Sequence, residues 1–364
     1  MGILRLLLAL AVLAAHGASI GKLHLVGGQV AVQSFYIISG FYMSLIINEK
    51  YVGQNNSYKL FITNRFLRLY PIYWAVLLGT LFTSIAIVIL TKGHVLLTFE
   101  SYLSVKTNIF SFFYLVLTNI IIFGQDIVMF LGINPENGNL FFTQDFRNAN
   151  PPLYSFLFIT QAWTLGLELT FYLIAPFILR KGFKVVIPLI LMSLLLRLFL
   201  YNQLHLKNDP WTYRFFPTEI MFFLFGYLGY RGYLRIKSIS LNKYINIFTF
   251  AFIIAFTTSF SYLPASKADY LPFSYRELGY FLSITLSIPL LFNFLKKNKL
   301  DNQIGELSYP VYISHILVFL FCGGLPFTLL KIGWVKVLLT IIFAYLLNKV
   351  VAMPLEKYRQ SRLN

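Results

Sequence analysis

Two polar side chains, Arg5 and His16, interrupt the apolar opening stretch ILRLLLALAVLAAHGAS, and no residue between them is polar. Eleven helical steps of about 100° come within about 20° of three whole turns, so the two side chains share one helix face. At about 1.5 Å per residue they lie roughly 16 Å apart, about half the depth of a hydrocarbon core that is about 30 Å thick. This spacing suits a cation near one interface and a proton-exchanging imidazole, buried near the midplane.

Other apolar segments also contain charged side chains. Glu168 follows Trp163 by five residues in AWTLGLELTFYLIAPF, and an ionisable group inside a membrane segment indicates function. Arg65 and Arg68 lie one helical turn apart in RFLRLYPIYW. Guanidinium groups bind phosphates well. Arginines at a membrane boundary also often have no ligand and only extend their charged ends to the interface. Phosphate binding and interfacial anchoring therefore both fit this pair.

Several further polar positions have a structural and a functional interpretation. Ser39 and Gly40 in SFYIISGFYMS form either a notch for helix packing or part of a binding site. His315 in SYPVYISHILVF is either a buried, hydrogen-bonded histidine or a substrate contact. Arg197, in the run LLLRLFL, needs a partner or a cavity. Glu219 fits a helix end or interface better than a catalytic site.

Composition identifies an integral membrane protein. Of the 364 residues, 58% are hydrophobic and 12% are charged, and the mean hydropathy is +0.70, against about 25% charged residues in soluble domains. No long polar stretch is left for a separate domain, so one membrane-embedded domain, 1–364, is expected. The net charge of +17 resides in short basic loops, which indicates membrane orientation rather than nucleic-acid binding. With only Cys322 and scattered histidines, no metal centre is predicted.

The apolar runs and the basic loops together predict the topology. Eleven runs lie near residues 3–20, 29–47, 69–91, 109–131, 153–179, 183–201, 215–233, 245–263, 276–295, 307–330 and 333–353. The basic loops fall on one side only if one run does not span, and 109–131 carries the most polar residues. We therefore expect an all-α polytopic protein with about ten transmembrane helices, a re-entrant or non-spanning segment, and both termini in the cytoplasm. An eleventh spanning helix and, for residues 1–19, a signal peptide are the alternatives.

In this order and spacing, the motifs resemble those of the acyltransferase-3 family of polytopic membrane acyltransferases, which includes enzymes that O-acetylate bacterial surface polysaccharides. The matching stretches are Arg-x10-His from Arg5 to His16, ISGF at 38–41, RFLRLYPIYW at 65–74, WTLGLE at 163–168, SYPVYISH at 308–315 and PLE at 354–356. Two departures are Gln33, where an acid is common, and EKY at 356–358, where Glu-x-Pro is common.

The resemblance implies a membrane O-acetyltransferase of the bacterial inner membrane. It would move an acyl group, most commonly acetyl, from cytoplasmic acetyl-CoA to a hydroxyl of a surface or lipid-linked glycan such as lipopolysaccharide. We expect His16 as the base, Glu168 as its orienting carboxylate, and Arg5 as a donor-binding residue near the reaction centre. Arg65 and Arg68 would hold the nucleotide end of the donor. The predicted substrate-binding residues are Ser39, Gly40, Trp163 and His315.

Two other functions compete with acyl transfer. A transporter or flippase of an anionic or lipid-linked glycan would use the same arginines and would leave the sugar unmodified; the sequence shows no internal repeat, which weakens this alternative slightly. A glycan polymerase would be expected to have large outward loops, and the loops here are mostly short. Covalent modification of the glycan separates acyl transfer from transport.

Overall fold

The computed structural model describes residues 1–18, 25–51, 57–91, 97–239 and 242–362. It is 75% helical, which confirms the all-α prediction. The helices are α1 (Gly2–Ala15), α2 (Gly28–Glu49), α3 (Ser57–Thr91), α4 (Leu97–Ser104), α5 (Ile109–Ile121), α6 (Trp163–Leu179), α7 (Phe183–Asn202), α8 (Phe216–Ile236), α9 (Lys243–Ser259), α10 (Tyr275–Leu295), α11 (Lys299–Glu306), α12 (Ser308–Gly324), α13 (Gly333–Leu347) and α14 (Met353–Ser361). One short antiparallel hairpin pairs β1 (Leu131–Ile133) with β2 (Leu140–Phe142).

Eight helical segments of the described chain are long and apolar enough to cross a membrane. They comprise α2, α3, α6, α7, α9, α10, α11 with α12, and α13 with α14. The other two expected spans are also helical: α8 has 21 residues but carries several charges, and α1 has only 14. The first helix is shorter than the expected 3–20 because Gly17 adopts a φ of +96°, which ends the helical path.

The basic helix ends meet on one side of the bundle, which we call the basic face. Three contacts join these ends: Arg180 Nη2 to the Tyr51 carbonyl at 2.6 Å, Lys296 Nζ to Tyr233 Oη at 3.2 Å, and Arg362 Nη1 to Asn64 Oδ1 at 2.8 Å. The polypeptide leaves this face through α3 and returns to it through α6. The intervening segment therefore lies at the opposite end of the bundle, as the distribution of basic loops predicts.

Helix α5 enters the bundle without crossing it. Its 13 residues extend about 20 Å, less than a hydrocarbon core of about 30 Å. Its last carbonyl groups accept hydrogen bonds from side chains near the middle of α3, namely from Tyr70 to Ile121, from Tyr73 to Asn119, and from Trp74 Nε1 to Ile120 at 2.9 Å. A helix end at this depth needs such partners because no water is present to satisfy it. This arrangement fits the expected non-spanning segment 109–131.

A buried ion pair joins α7 to α8. Arg197 and Glu219 are 1% and 0% exposed and form a salt bridge, which explains a cation inside an otherwise apolar run. The guanidinium also donates to the carbonyl groups of Thr212 and Thr218, each at 2.9 Å. Gln33 of α2 donates to Glu219 Oε2 at 3.1 Å. The amide that departs from the family pattern therefore joins this buried polar network, in which Arg197 Nε has no hydrogen-bond partner among the described residues.

Two glycines bring α2 and α8 into backbone contact. A Cβ atom on Gly40 would lie 1.8 Å from the Phe223 carbonyl oxygen, and one on Gly226 would lie 2.1 Å from that of Ile37. The obstructing atoms belong to helix backbones, so no side-chain rotation relieves the overlap. Gly40 is thus a packing residue, which was one of its two interpretations.

We expect Gly40→Ala to lower the free energy of unfolding by about 3 kcal/mol, because α2 and α8 must separate to admit the methyl group. Thermal unfolding of the purified protein in detergent measures the change. Gly323→Ala is the matched control, since a Cβ at Gly323 meets no atom within 4 Å. Equal melting temperatures for the two variants would contradict the tight helix crossing.

Candidate functional site

A cavity of about 580 Å³, here called the large cavity, opens among α1, α2, α3, α6 and α12. Along α6 it extends from Thr164 to Tyr172, and along α2 from Val32 to Met43. At the basic face, α14 also contributes to its lining. Five basic and three acidic side chains line it: Arg5, Arg65, Arg68, Lys357, Arg359, Glu168, Glu306 and Glu356. The lining therefore carries a net positive charge.

Three guanidinium groups in the large cavity have no carboxylate partner. Arg5, Arg65 and Arg68 form no ion pair with any residue of the described chain. Arg65 is only 5% exposed, and its Nε has no hydrogen-bond partner. Burying cations is costly unless an anion compensates them. Arg65 is therefore a buried cation that no carboxylate of the described chain compensates, and an anionic ligand in this cavity would compensate it.

Local structure positions each of these arginines. Asp301 of α11 accepts hydrogen bonds from the backbone N–H groups of Gly2, at 2.7 Å, and Ile3, at 3.0 Å. A carboxylate at this place satisfies free N–H groups and complements the helix dipole, so it fixes the first turn of α1 and the direction of Arg5. Arg65 and Arg68 are one turn apart on α3. Two different helices therefore bring the cations together.

The last helix adds two basic groups that sequence reasoning did not single out. Arg359 and Lys357 of α14 line the large cavity, and Arg359 forms an ion pair with Glu356. This pairing gives the acid of EKY a defined structural partner. The basic tail EKYRQSR was the only signal in the sequence that pointed to these groups.

Glu168 faces the large cavity and binds hydroxyl groups. Ser39 Oγ donates to its Oε1 at 2.6 Å, and the Tyr172 hydroxyl donates to the same oxygen. Its Oε2 accepts no hydrogen bond from the described residues. A carboxylate oxygen of this kind suits a ligand with N–H or O–H donors.

A second cavity of about 250 Å³, the small cavity, lies at the opposite end of the bundle from the basic face. His16, Trp163 and Tyr213 contribute to its lining together with Gln161 and Arg214. Aromatic rings beside amide and guanidinium groups suit a polar ligand with hydroxyl groups. Burial raises the pKa of Tyr213 well above its usual value, so its phenol stays protonated at neutral pH.

Arg214 is held rigidly in the small cavity. Its Nε donates to Asp209 Oδ1 at 2.7 Å, and its guanidinium carbon lies 4.1 Å from the centre of the Trp163 ring. Arg147 shares the same aspartate at 2.8 Å. The group therefore presents N–H donors in a fixed orientation, and the two arginines with one aspartate leave the cluster with a net positive charge.

Backbone contacts define the hydrogen positions on both histidines near this cavity. His16 Nδ1 lies 2.9 Å from the Val12 carbonyl oxygen, and His315 Nδ1 lies 2.6 Å from that of Tyr312. A carbonyl only accepts, so each neutral ring carries its hydrogen on Nδ1 and a lone pair on Nε2. The two ring centres are 5.0 Å apart, and the buried His315 Nε2 has no partner.

The predicted site residues divide between the two cavities. Arg5, Arg65, Arg68, Ser39 and Glu168 line the large cavity, whereas His16 and Trp163 line the small one. His315 lies beside His16, and Gly40 lies at the α2–α8 crossing rather than in either lining.

The expected contact between His16 and Glu168 is not formed. Tyr312 and Thr164 lie between the two cavities, and Glu168 binds Ser39 and Tyr172 instead. His16 is also exposed rather than buried, because it caps the short α1. Sequence reasoning missed Tyr312, which stands inside the motif SYPVYISH, and Arg214, which precedes Glu219 by five residues; neither residue type is unusual there.

Comparison with known proteins assigns this arrangement to a family. A family model described as an acyltransferase domain matches residues 1–353. An uncharacterized protein of Aquifex aeolicus (strain VF5) is 25% identical over 225 residues, which are 59% of this chain and 94% of that protein. No solved structure is significantly similar to the chain.

Proposed function

Because the chain belongs to the acyltransferase-3 family of membrane acyltransferases, we propose that it transfers an acetyl group from acetyl-CoA to a hydroxyl of a surface or lipid-linked polysaccharide. The observation that carries this proposal is the large cavity with its three unpaired guanidinium groups. A coenzyme A thioester carries several phosphates at one end and the reactive carbonyl at the other. The cavity offers cations at one end and a path into the bundle.

The donor would enter from the basic face. Arg65 and Arg68 would bind its nucleotide phosphates there, and Arg5 would bind the nearer phosphate or the start of the pantetheine arm. The arm would extend along α6 past Glu168, whose Oε2 suits the amide N–H groups of pantetheine. This orientation places the basic face in the cytoplasm, consistent with the positive-inside rule, and both chain termini on the same side of a bacterial inner membrane.

The acceptor would enter the small cavity from the opposite side of the membrane. Trp163 and Tyr213 offer aromatic surfaces, while Gln161 and Arg214 offer hydrogen bonds, a combination that suits the faces and hydroxyl groups of a sugar. Gln29 at the start of α2 adds a further amide to the lining. Most of the glycan chain would remain outside the small cavity while a single sugar unit reaches His16.

His16 would act as the general base. As the acceptor oxygen attacks the thioester carbonyl, its proton passes to the lone pair on His16 Nε2. The carbon–sulfur bond then breaks, and the departing thiolate takes the proton from the imidazolium to give free coenzyme A. The Nδ1 contact with the Val12 carbonyl would keep the neutral ring in the required tautomer before proton transfer and hold the ring in place afterwards.

Labelled acetyl-CoA, purified protein and bacterial surface polysaccharide test this function directly. We expect label to appear on the polysaccharide as an alkali-labile ester. Movement of unlabelled polysaccharide across vesicles, without ester formation, would instead identify a transporter.

Arg65→Ala tests donor binding in the same assay. We expect the KM for acetyl-CoA to rise about tenfold or more, since hydrogen bonds to charged groups contribute about 1.5–3 kcal/mol. Arg235→Ala is the control, because Arg235 lies at the end of α8 nearest the basic face but outside the large cavity. Equal effects of the two variants would show that the cavity arginines bind no donor phosphate.

A further inference from the structure

A thin wall separates the large cavity from the small one. Thr164 faces the large cavity while its neighbour Trp163 faces the small one, and Tyr312 contributes to the lining of both. Glu168 and the three arginines are on one side of this wall, and His16 is on the other. Tyr312 is the residue that the two linings share, so the direct route from the cations to the imidazole runs past its side chain.

Hydrogen bonds hold the Tyr312 side chain in this position. Its hydroxyl donates to the Gln161 carbonyl oxygen at 3.0 Å and lies 2.8 Å from Thr164 Oγ1. The Tyr312 ring packs edge to face against Phe35, with the ring centres 6.2 Å apart. The phenol end is tethered to Thr164 of α6 and to Gln161 just before α6, through neutral hydrogen bonds of modest net strength. Breaking these hydrogen bonds removes the polar contacts that hold the phenol end in place.

We propose that Tyr312 is a gate between the two cavities, closed by its hydrogen bonds to Thr164 and Gln161 and opened when the acyl end of the donor presses against it. This inference rests on the proposed acyl transfer and adds a residue that controls it. The closed gate keeps water of the small cavity away from the thioester. Water that reached the carbonyl would break the carbon–sulfur bond and release a free carboxylate and coenzyme A, so the acyl group would be lost.

Tyr312 is linked to His16 through one residue, His315. The backbone carbonyl of Tyr312 accepts from His315 Nδ1, and the His315 ring lies beside that of His16. The charged and titratable groups nearest His16 are therefore His315 and Tyr312 on α12 and Tyr213 and Arg214 in the loop before α8. Tyr312→Phe removes the tether and leaves this carbonyl in place, so it separates gating from support of the histidines.

Acceptor-independent hydrolysis is the sensitive measurement. We expect Tyr312→Phe to raise the ratio of acetyl-CoA hydrolysis to acetyl transfer about fivefold, which corresponds to one lost hydrogen bond of about 1 kcal/mol. Thr164→Val removes the same contact from the other side and should shift the ratio in the same direction. Tyr280→Phe is the matched control, since Tyr280 also forms a buried hydrogen bond of 2.8 Å with a threonine, Thr257, away from both cavities.

Cysteine labelling tests the gate without relying on activity. Ala15 is exposed and lines the small cavity, and the native Cys322 is buried and can be replaced by serine. In sealed vesicles, a membrane-impermeant maleimide is added only on the side of the basic face. We expect Ala15→Cys to react faster when it is combined with Tyr312→Ala than with Tyr312 intact.

The two assays separate failure of the gate from failure of the proposed function. A wild-type enzyme that transfers acetyl, with the same hydrolysis ratio in Tyr312→Phe and the same labelling rate in Tyr312→Ala, overturns the gate and leaves the function standing. Absence of transfer by the wild type overturns the function, and labelling still decides whether Tyr312 closes the passage.

Discussion

The His16→Ala variant is expected to lose acyl transfer by about 10²- to 10⁴-fold, the usual contribution of a positioned general base. The reason is local: His16 Nε2 carries a lone pair in the small cavity, and Nδ1 is held by the Val12 carbonyl. Transfer of label from acetyl-CoA to polysaccharide measures the loss. The KM for the donor should change much less, because the arginines that would bind it lie in the other cavity.

Two controls make this result specific. His205→Asn replaces an exposed histidine with a residue that tolerates its positive φ of +54°, and it should retain full activity. Added imidazole should partly restore His16→Ala, because the position is exposed and an open cavity adjoins it. Full labelling by His16→Ala without imidazole would remove His16 as the base.

Arg197→Met should lower the free energy of unfolding by about 3–5 kcal/mol, the usual consequence of leaving one member of a buried ion pair alone. Glu219 is 0% exposed and would keep only Gln33 as a side-chain partner. Thermal unfolding in detergent measures the change. The double variant Arg197→Met/Glu219→Gln should recover part of the loss, since it leaves no unpaired charge.

Arg147→Met is the corresponding exposed control. Its guanidinium also pairs with a carboxylate, that of Asp209, but the Arg147 side chain is 54% exposed. Surface pairs contribute at most about 1 kcal/mol, so the melting temperature should hardly move. Similar losses for Arg147→Met and Arg197→Met would show that burial does not set the strength of the α7–α8 pair.

Features that depend on hydropathy and charge were predictable from the sequence. In lipid, the backbone must satisfy its own hydrogen bonds, which helices do, and basic loops stay on the cytoplasmic side. The all-α fold therefore follows from the apolar composition. The polar residues of 109–131 indicated the segment that α5 occupies. Arg65, Arg68 and Arg5 were all expected near the same membrane interface. Side chains at one depth of a helical bundle lie close to one another, so their common cavity was predictable.

Features that depend on neighbouring helices were not predictable in the same way. The spacing of Arg5 and His16 sets their face and separation, but it does not say what fills the space between them and Glu168. In the structure Tyr312 lines both cavities there, and tyrosine is a common residue type in this sequence, which has 24. Gly40 illustrates the same limit, because a glycine in an apolar run fits a binding site and a helix crossing equally well.

The stretch RFLRLYPIYW joins two tasks in ten residues. Its arginines face the large cavity, and its aromatic residues satisfy the carbonyl groups at the end of α5. A protein engineer who transplanted this segment into another scaffold to graft its cations would also import three unsatisfied hydrogen-bond donors. The smallest portable unit is therefore this segment together with helix α5.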